Sequence, residues 1–239
     1  MLSIARGELL QLFRNRLVLV TSLILPVAFS AFFISRHETF AQVGSLGYIA
    51  ALTLFFITAI GLYTTTVTTL AARRQNLFLK RLRSTAASDP GILVGLLLPI
   101  TAITTIQVGV ILAVLGAVTG APKNPLLLVV AVVATIAMMV ALGLATAGLT
   151  NSPEHAQVTT LPITIAVLAV ASWIGITGTE QLSLLKRLLP GGAATELVLN
   201  SWNGGTSATD SLVLIGPIAA WLILSVTLAT RLFRWEPRR

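Results

Sequence analysis

Long stretches without a charged residue alternate with short polar segments along the chain. The stretches that lack Asp, Glu, Lys, Arg and His are residues 17–35, 46–72, 92–119, 126–150, 158–179 and 211–230. About 20 apolar helical residues cross the hydrocarbon core of a bilayer, so each stretch is long enough to span it. Because the stretches show no period-two alternation, helices rather than barrel strands are predicted. The pattern predicts an all-α integral membrane protein with six transmembrane helices in a single domain, residues 1–239.

Composition agrees with a membrane location. The 239 residues are 55% hydrophobic and 10% charged, whereas a soluble domain has about a quarter of its residues charged. The chain has no cysteine, which excludes disulfides and thiolate metal sites.

Positive charge is distributed unevenly between the two sides of this predicted bundle. The termini and the second and fourth loops carry 12 of the 16 Lys and Arg residues, and the other three loops carry 4. By the positive-inside rule, both termini and the 73–91 loop are cytoplasmic, in a multi-pass protein of the inner or plasma membrane. The net charge of +8 therefore orients the chain and does not indicate nucleic-acid binding.

The N-terminal segment 2–16 has helical periodicity. Its apolar face comprises Leu2, Ala5, Leu9, Leu12 and Phe13, and its polar face comprises Glu8, Gln11, Arg14 and Asn15. This pattern predicts an amphipathic helix that lies in the membrane interface against lipid headgroups. The alternative is a basic flank that only orients the first span.

The segment 180–210 is too polar for a seventh span, because Lys186 and Arg187 interrupt its apolar run and Pro190 breaks it. Two short helices on the outer surface, at 181–189 and 193–202, are predicted there. Trp202 and Trp235 suit interfacial anchors on the outer and inner sides, and Trp221 suits packing against a neighbouring helix.

Small residues on two spans form faces suited to close helix packing. These faces comprise Gly109, Ala113 and Ala117 in the third span, and Gly143 and Ala147 in the fourth.

The loop 73–91 concentrates positive charge between two apolar spans. Its apolar side chains Phe78, Leu79 and Leu82 fall within an arc of about 100° on a helix. The cations Arg73, Arg74, Lys80 and Arg81 fall on the opposite side, with Arg83 at the border. One amphipathic helix over 73–83, docked into a partner by its apolar side chains, is predicted; a solvated orienting flank is the alternative. Asp89 is expected to cap the third span, with Pro90 in its first turn.

Three segments, in order along the chain, carry a family resemblance. They are "RRQNLFLKRLRSTAASDPGILVGLLLP" (73–99), "GLATAGLTNSPEHAQVTTLPI" (143–163) and "LLPGGAATELVLNSW" (188–202). The set resembles the type 2 ABC exporter permeases, the transmembrane subunits of drug, polysaccharide and lipid export ABC transporters. In that family the basic "LKRLR" stretch of the first segment forms the main coupling helix, and the segment then runs into the third span. The second segment is a tight turn that also contacts the nucleotide-binding subunit, and the third is an outer helical region.

The resemblance implies partners and sites. The partners are an ABC nucleotide-binding subunit, which binds ATP and Mg, and a second permease copy or paralogue in a dimer, with lipids around them. Coupling to the ATPase is assigned to Arg73, Arg74, Phe78, Leu79, Lys80, Arg81, Leu82, Arg83, Glu154 and His155. The substrate pathway is assigned to Phe55, Phe56, Thr58, Tyr63, Thr65 and Thr164. Core packing, with threonine hydroxyls bonded to backbone carbonyls, is the alternative for each pathway residue.

The chain itself offers little chemistry. None of its three lysines follows a glycine, so no phosphate-binding P-loop is present and the permease is not expected to be an ATPase. The spans hold no ionisable relay, which disfavours ion-coupled secondary transport, although sodium coupling through backbone carbonyls stays open. The predicted function is ATP-driven export of a hydrophobic or amphipathic drug, antibiotic or lipid-like substrate; export of a polysaccharide or lipid-linked precursor is an alternative.

Overall fold

The computed structural model describes residues 2–85, 87–233 and 235, with side chains from Ile4 onward, so the Leu2 side chain lies outside the described part. Every regular element in those ranges is a helix, which confirms the all-α prediction. The helices outside the spans are α1 (Leu2–Arg14), α3 (His37–Val43), α5 (Phe78–Arg83), α9 (Ser183–Leu188) and α10 (Gly192–Asn203).

Six helices in the described chain are long and apolar enough to cross a membrane. They are α2 (Arg16–Ser35), α4 (Leu46–Gln75), α6 (Asp89–Thr119), α7 (Pro125–Leu149), α8 (Pro153–Thr177) and α11 (Ala208–Leu232). Each coincides with one predicted stretch, and most extend it by a few residues at the polar ends. The six-span prediction is confirmed.

Side-chain caps set where the spans begin. At α6 the Ser88 hydroxyl accepts a hydrogen bond from the Gly91 amide, so Ser88 is the cap and the prediction of Asp89 is wrong. Pro90 lies in the first turn as predicted, where its missing N–H costs little. Asn124 and Ser152 cap α7 and α8 in the same way, each followed by a proline.

The second span, α4, is the centre of the bundle. In its most apolar window 83% of the residues are buried, against 28% for α2 and α8 and 22% for α11. It packs against α2, α7, α8 and α10. The outward faces of the other spans carry large apolar side chains, such as Ile106, Val133 and Ile223, with about two thirds of their surface exposed. The fold therefore presents hydrocarbon-compatible surface outward and encloses α4.

Two spans contain a π-helical segment that the sequence did not predict. In α2 it covers Val20–Ile24, just before Pro26, and in α4 it covers Ile57–Tyr63. The remaining spans of the described chain contain none.

The outer segment folds inward. Helices α9 and α10 match the two predicted short helices, but α10 is mostly buried against α4, α7 and α8. The surface placement is therefore wrong for α10. Trp202 is 3% exposed, so it is not an interfacial anchor. Trp221 donates its indole N–H to the Leu188 carbonyl at 2.9 Å, which agrees with its predicted packing role.

Polar side chains fix the hairpin formed by α9 and α10. The Arg187 guanidinium donates two hydrogen bonds to the Glu196 carboxylate, at 2.7 and 2.6 Å. This hydrogen bonding raises the pKa of Arg187 above its ordinary value. The buried Lys186 ammonium donates to the Thr177 hydroxyl and the Gly178 carbonyl, and lies 5.0 Å from the Trp173 ring centre. The hairpin is thereby tied to the end of α8.

The two small-residue faces differ in how closely they pack against a neighbouring helix. A Cβ on Gly143 would lie 2.7 Å from the Thr66 methyl, so α7 and α4 pack as closely as predicted. A Cβ on Gly109 would meet no atom within 4 Å. The α6 face instead lines an apolar groove of about 640 Å³ between α6 and α7, so the close packing predicted for it does not occur within this chain.

Candidate functional site

The segment that carries most of the predicted coupling residues is divided by a turn. Helix α4 continues to Gln75, residues 76–77 form a turn, and α5 starts at Phe78. Leu77 has a φ of 56°, in the left-handed region that a non-glycine residue adopts rarely. The prediction of one helix over 73–83 is therefore wrong: Arg73 and Arg74 belong to the second span.

Helix α5 presents its cations outward and its apolar side chains inward. Leu79 is fully buried, and Phe78 and Leu82 are half-buried against the core. Lys80, Arg81 and Arg83 are exposed. The chain's own core covers Leu79 and part of Phe78 and Leu82, so docking of a partner by these apolar side chains stays a prediction. The surface available to a partner is the basic side.

Arg74 performs a structural task inside the chain. It is 3% exposed and donates hydrogen bonds to the carbonyls of Ala147, at 3.1 Å, and Thr150. These carbonyls lie at the end of α7, where a helix leaves carbonyls without an intrahelical partner. Arg74 thus joins the end of the second span to the end of the fourth, and its assignment as a surface contact is corrected.

Arg73 joins three helices. Its guanidinium donates to the Glu8 carboxylate of α1 at 2.8 Å, and it lies 5.3 Å from the Phe78 ring centre. Both partners of the ion pair are largely enclosed, with 16% of the Arg73 side chain and 8% of the Glu8 side chain exposed. The periodicity of residues 2–16 predicts Glu8 on the polar face of α1, but the structure buries it against Arg73. Glu8 is the single carboxylate in the first 35 residues. This isolation in a basic and apolar segment is the sequence feature that could have indicated an ion pair.

Arg83 connects α5 to the next span and to the end of the chain. Its guanidinium lies 3.0 Å from the Asp89 carboxylate at the start of α6, and 5.0 Å from the Trp235 ring centre. Trp235 in turn packs edge-on against Phe233, with ring centres 5.3 Å apart. The short helix is therefore tethered on both sides, to α4 by chain continuity and to α6 by this contact.

The second predicted contact lies at the start of α8. Glu154 and His155 are exposed in its first turn, and the Ser152 hydroxyl accepts the His155 amide at 3.4 Å. The turn before α8 is linked to α4 through Arg74 and Thr150. We call the exposed residues of these two elements the basic face: Lys80, Arg81, Arg83, Glu154 and His155. The topology places all of them at the same end of the bundle.

Most of the predicted pathway residues lie in the interior. Phe55, Thr58, Tyr63 and Thr65 are buried, so the pathway assignment is corrected for them to core packing. The Thr58 hydroxyl donates to the carbonyl four residues earlier at 2.8 Å. The Tyr63 hydroxyl is hydrogen-bonded to another span, at 3.0 Å from the Thr146 hydroxyl.

Two pathway residues remain partly accessible. Phe56 stacks on Phe29 of the first span, with ring centres 3.6 Å apart and planes within 2°. Thr164 is half-buried on α8, and its hydroxyl has no hydrogen-bond partner among the described residues. That hydroxyl is itself enclosed, so in this structure it does not face the surface.

Metal-binding and titratable clusters are sparse. Within residues 2–85, 87–233 and 235, no group of three His, Asp or Glu side chains is close enough to hold a metal ion.

Six apolar helices, of which the second is enclosed by the rest of the chain, define a multi-pass membrane protein with a tethered basic helix at one end. The chain belongs to the family described as ABC-2 family transporter protein, whose model matches residues 34–229. No curated protein sequence matches the chain. The family consists of ABC transporter permease subunits, which normally lack an ATPase of their own and act with an ABC ATPase subunit.

Proposed function

We propose that this chain is the membrane subunit of an ATP-driven exporter of a hydrophobic or amphipathic substrate, such as a drug, an antibiotic or a lipid-like molecule. A separate nucleotide-binding subunit binds ATP and Mg and hydrolyses the ATP. The observation that carries the proposal is the basic face, in which an exposed cationic helix is anchored to two spans.

The anchoring of α5 makes it suitable for transmitting a push. Leu79 is enclosed in the core, and Arg73 lies against Phe78. Because Arg83 is also paired with the start of α6, a displacement of α5 moves the adjacent ends of the second and third spans together. The exposed Lys80 and Arg81 suit an acidic surface on the ATPase, since complementary charge fixes register and speeds association.

A solute pathway is expected between two permease subunits. The second span is largely enclosed by its own chain, so Phe55, Thr58, Tyr63 and Thr65 are not available as a wall. The eighth helix has the opposite character: Val158, Leu161 and Ile165 are exposed, and Thr164 lies among them. An exposed apolar surface of this kind suits a hydrophobic or amphipathic solute better than a charged one.

The N-terminal helix supports a lipid contact. Leu9, Leu10 and Phe13 are exposed on α1, and Arg6 and Arg14 are exposed nearby. The opposite side of α1 packs on α6 and holds Glu8 against α4. We therefore place the apolar side of α1 in the interface of the cytoplasmic leaflet, with both termini in the cytoplasm as the charge bias predicts.

The proposal is tested by charge reversal on the basic face. The protein is purified with its ATPase in lipid nanodiscs, and the ATPase is assayed with and without the permease. We expect Arg81→Glu to lower permease-stimulated hydrolysis and export at least tenfold, because it reverses an exposed charge without touching the core. Arg36→Glu, an exposed reversal at the other end of the bundle, is the matched control and should change neither rate.

Two results would contradict the proposal. One is equal stimulation by the Arg81→Glu protein and the unaltered protein. The other is uptake or efflux driven by an ion gradient in vesicles that hold this chain without any ATPase, which would indicate a secondary transporter.

A further inference from the structure

The two π-helical segments lie against each other. Val20–Ile24 of α2 packs on Ile57–Tyr63 of α4. At their contact a Cβ on Gly61 would lie 3.1 Å from the Ser22 carbonyl oxygen, so only a residue without a side chain allows this approach comfortably. A π segment is a local departure from the α-helical hydrogen-bond ladder and often marks a functional position. Here the two π segments, Val20–Ile24 and Ile57–Tyr63, meet at one contact, which we call the junction.

Local chemistry explains the irregular segment in α2. Pro26 has no N–H, so the Ser22 carbonyl cannot receive the usual hydrogen bond from the residue four positions later. The Leu25 amide donates to the Val20 carbonyl, five residues back, instead of four. The Ser22 hydroxyl donates to the Val18 carbonyl at 2.6 Å and so occupies the backbone of the preceding turn.

A third span reaches into this junction. The Gln107 side chain of α6, 7% exposed, donates its amide N–H to the Leu23 carbonyl at 3.3 Å. Its amide oxygen has no partner among the described residues, and neither does the buried Thr104 hydroxyl one turn earlier. Because the oxygen is unpartnered, Gln107 is held by one hydrogen bond and can exchange that bond without breaking a network.

Different contacts hold the helix parts on the two sides of the junction, which we call the outer body and the inner body. On the outer side, Phe29 of α2 stacks on Phe56 of α4, and Asn203 of α10 is hydrogen-bonded to the start of α4 through Ser45 and Gly47. On the inner side, α1 is held to the end of α4 by the Glu8–Arg73 ion pair. Each body is defined by one half of α2 and one half of α4, and α8 packs along both halves of α4.

We propose that the paired π segments are a hinge, at which the outer halves of α2 and α4 bend as one unit relative to their inner halves. Gln107 is the positioning residue that sets the resting angle through the Leu23 carbonyl. The use of this hinge in export rests on the proposed function, whereas its existence does not. Motion at α5 enters the inner body, and the hinge converts it into movement of the outer body.

The test uses distances between spin labels in the isolated protein in nanodiscs. The chain has no cysteine, so engineered ones are labelled uniquely. Ala28 on the outer half and Leu17 on the inner half, both exposed, are each paired with exposed Val133 on α7. We expect Pro26→Ala to restore a regular helix and narrow the 28–133 distance distribution about twofold, with the 17–133 distribution unchanged.

A second variant and a control complete the design. Gln107→Leu removes the lateral hydrogen bond and should broaden the 28–133 distribution, a change opposite in sign to that of Pro26→Ala. Pro162→Ala, in a span without a π segment, should alter neither distribution. If Pro26→Ala does not fold, Gln107→Leu carries the test. Unchanged widths in the folded variants would overturn the hinge.

Assays with the ATPase separate the hinge from the proposed function. If the unaltered complex exports substrate, Pro26→Ala should lower export at least tenfold while ATPase binding persists. Normal export by a protein whose distribution has narrowed would overturn the hinge's role in transport. If no ATPase-driven export occurs at all while the distributions respond as expected, the proposed function fails and the hinge stands.

Discussion

The Glu8–Arg73 ion pair is the contact whose removal should reveal most about how α1 is attached. The perturbation is a double-mutant cycle of Glu8→Gln, Arg73→Gln and the double variant. At 2.8 Å and an effective dielectric constant of about 20, the bare attraction is about 6 kcal/mol. Desolvation of two largely enclosed charges removes most of this, because burying an ion pair costs several kcal/mol. We therefore expect a net coupling of about 2 kcal/mol, in the range of charge-assisted hydrogen bonds.

A second pair at the same end provides the control. Arg83 and Asp89 are 3.0 Å apart, but 51% and 42% of their side chains are exposed. A cycle of Arg83→Gln and Asp89→Asn should give a coupling of about 0.5 kcal/mol, because solvent screens exposed pairs. The two ion pairs differ in the burial of their side chains but hardly in the distance between their charged atoms.

The assay is the free energy of unfolding in mixed micelles, titrated with a denaturing detergent and followed by helical circular dichroism. Added salt should weaken the coupling of the exposed pair and leave that of the enclosed pair nearly unchanged, since screening acts mainly on charges in contact with solvent. Equal couplings for the two pairs would refute the reasoning that enclosure makes the Glu8–Arg73 contact strong. So would a coupling below about 0.5 kcal/mol for the enclosed pair, the level of an exposed pair.

Three further predictions concern stability in the same assay. Gly143→Ala should lower the free energy of unfolding by about 1–3 kcal/mol, because its methyl group would overlap a threonine methyl of α4. Gly109→Ala, which lies beside the open groove, should be neutral, and equal effects of the two substitutions would contradict the close packing of α4 and α7. Arg74→Met should cost about 3 kcal/mol by stranding carbonyls at the end of α7, against less than about 0.5 kcal/mol for exposed Arg81→Met. Tyr63→Phe should cost about 1 kcal/mol through loss of its hydrogen bond to α7, and an unchanged unfolding curve would refute that contact.

The spans were predictable because their cause is local. A run of about 20 uncharged residues has one stable arrangement in a bilayer, whichever neighbours it meets. The ends of the runs were predictable to within a few residues, since caps such as Ser152 stand in the sequence next to a proline. Charge bias likewise indicates orientation without any tertiary information.

The sites were less predictable because their causes are tertiary. The prediction from periodicity over 73–83 requires one continuous helix. The turn at Leu77 contains neither glycine nor proline, so nothing in the local sequence indicated that the helix ends there. The burial of Arg74 depends on the end of α7 arriving beside it. Phe55 was assigned to a pathway, yet it packs at Gly191, just before α10, because the outer segment folds inward. Neither the pattern of α4 nor that of the segment around Gly191 predicts this contact.

The inward fold of α10 has a consequence for biosynthesis. The spans that surround it, α4, α7 and α8, all precede it in the chain. A chain that stops at residue 177 would lack the helix that covers Phe55, and Gly192–Asn203 completes this packing when it is added. Complete packing of α4, α7 and α8 therefore requires these twelve residues, and a product truncated before them is expected to be less stable.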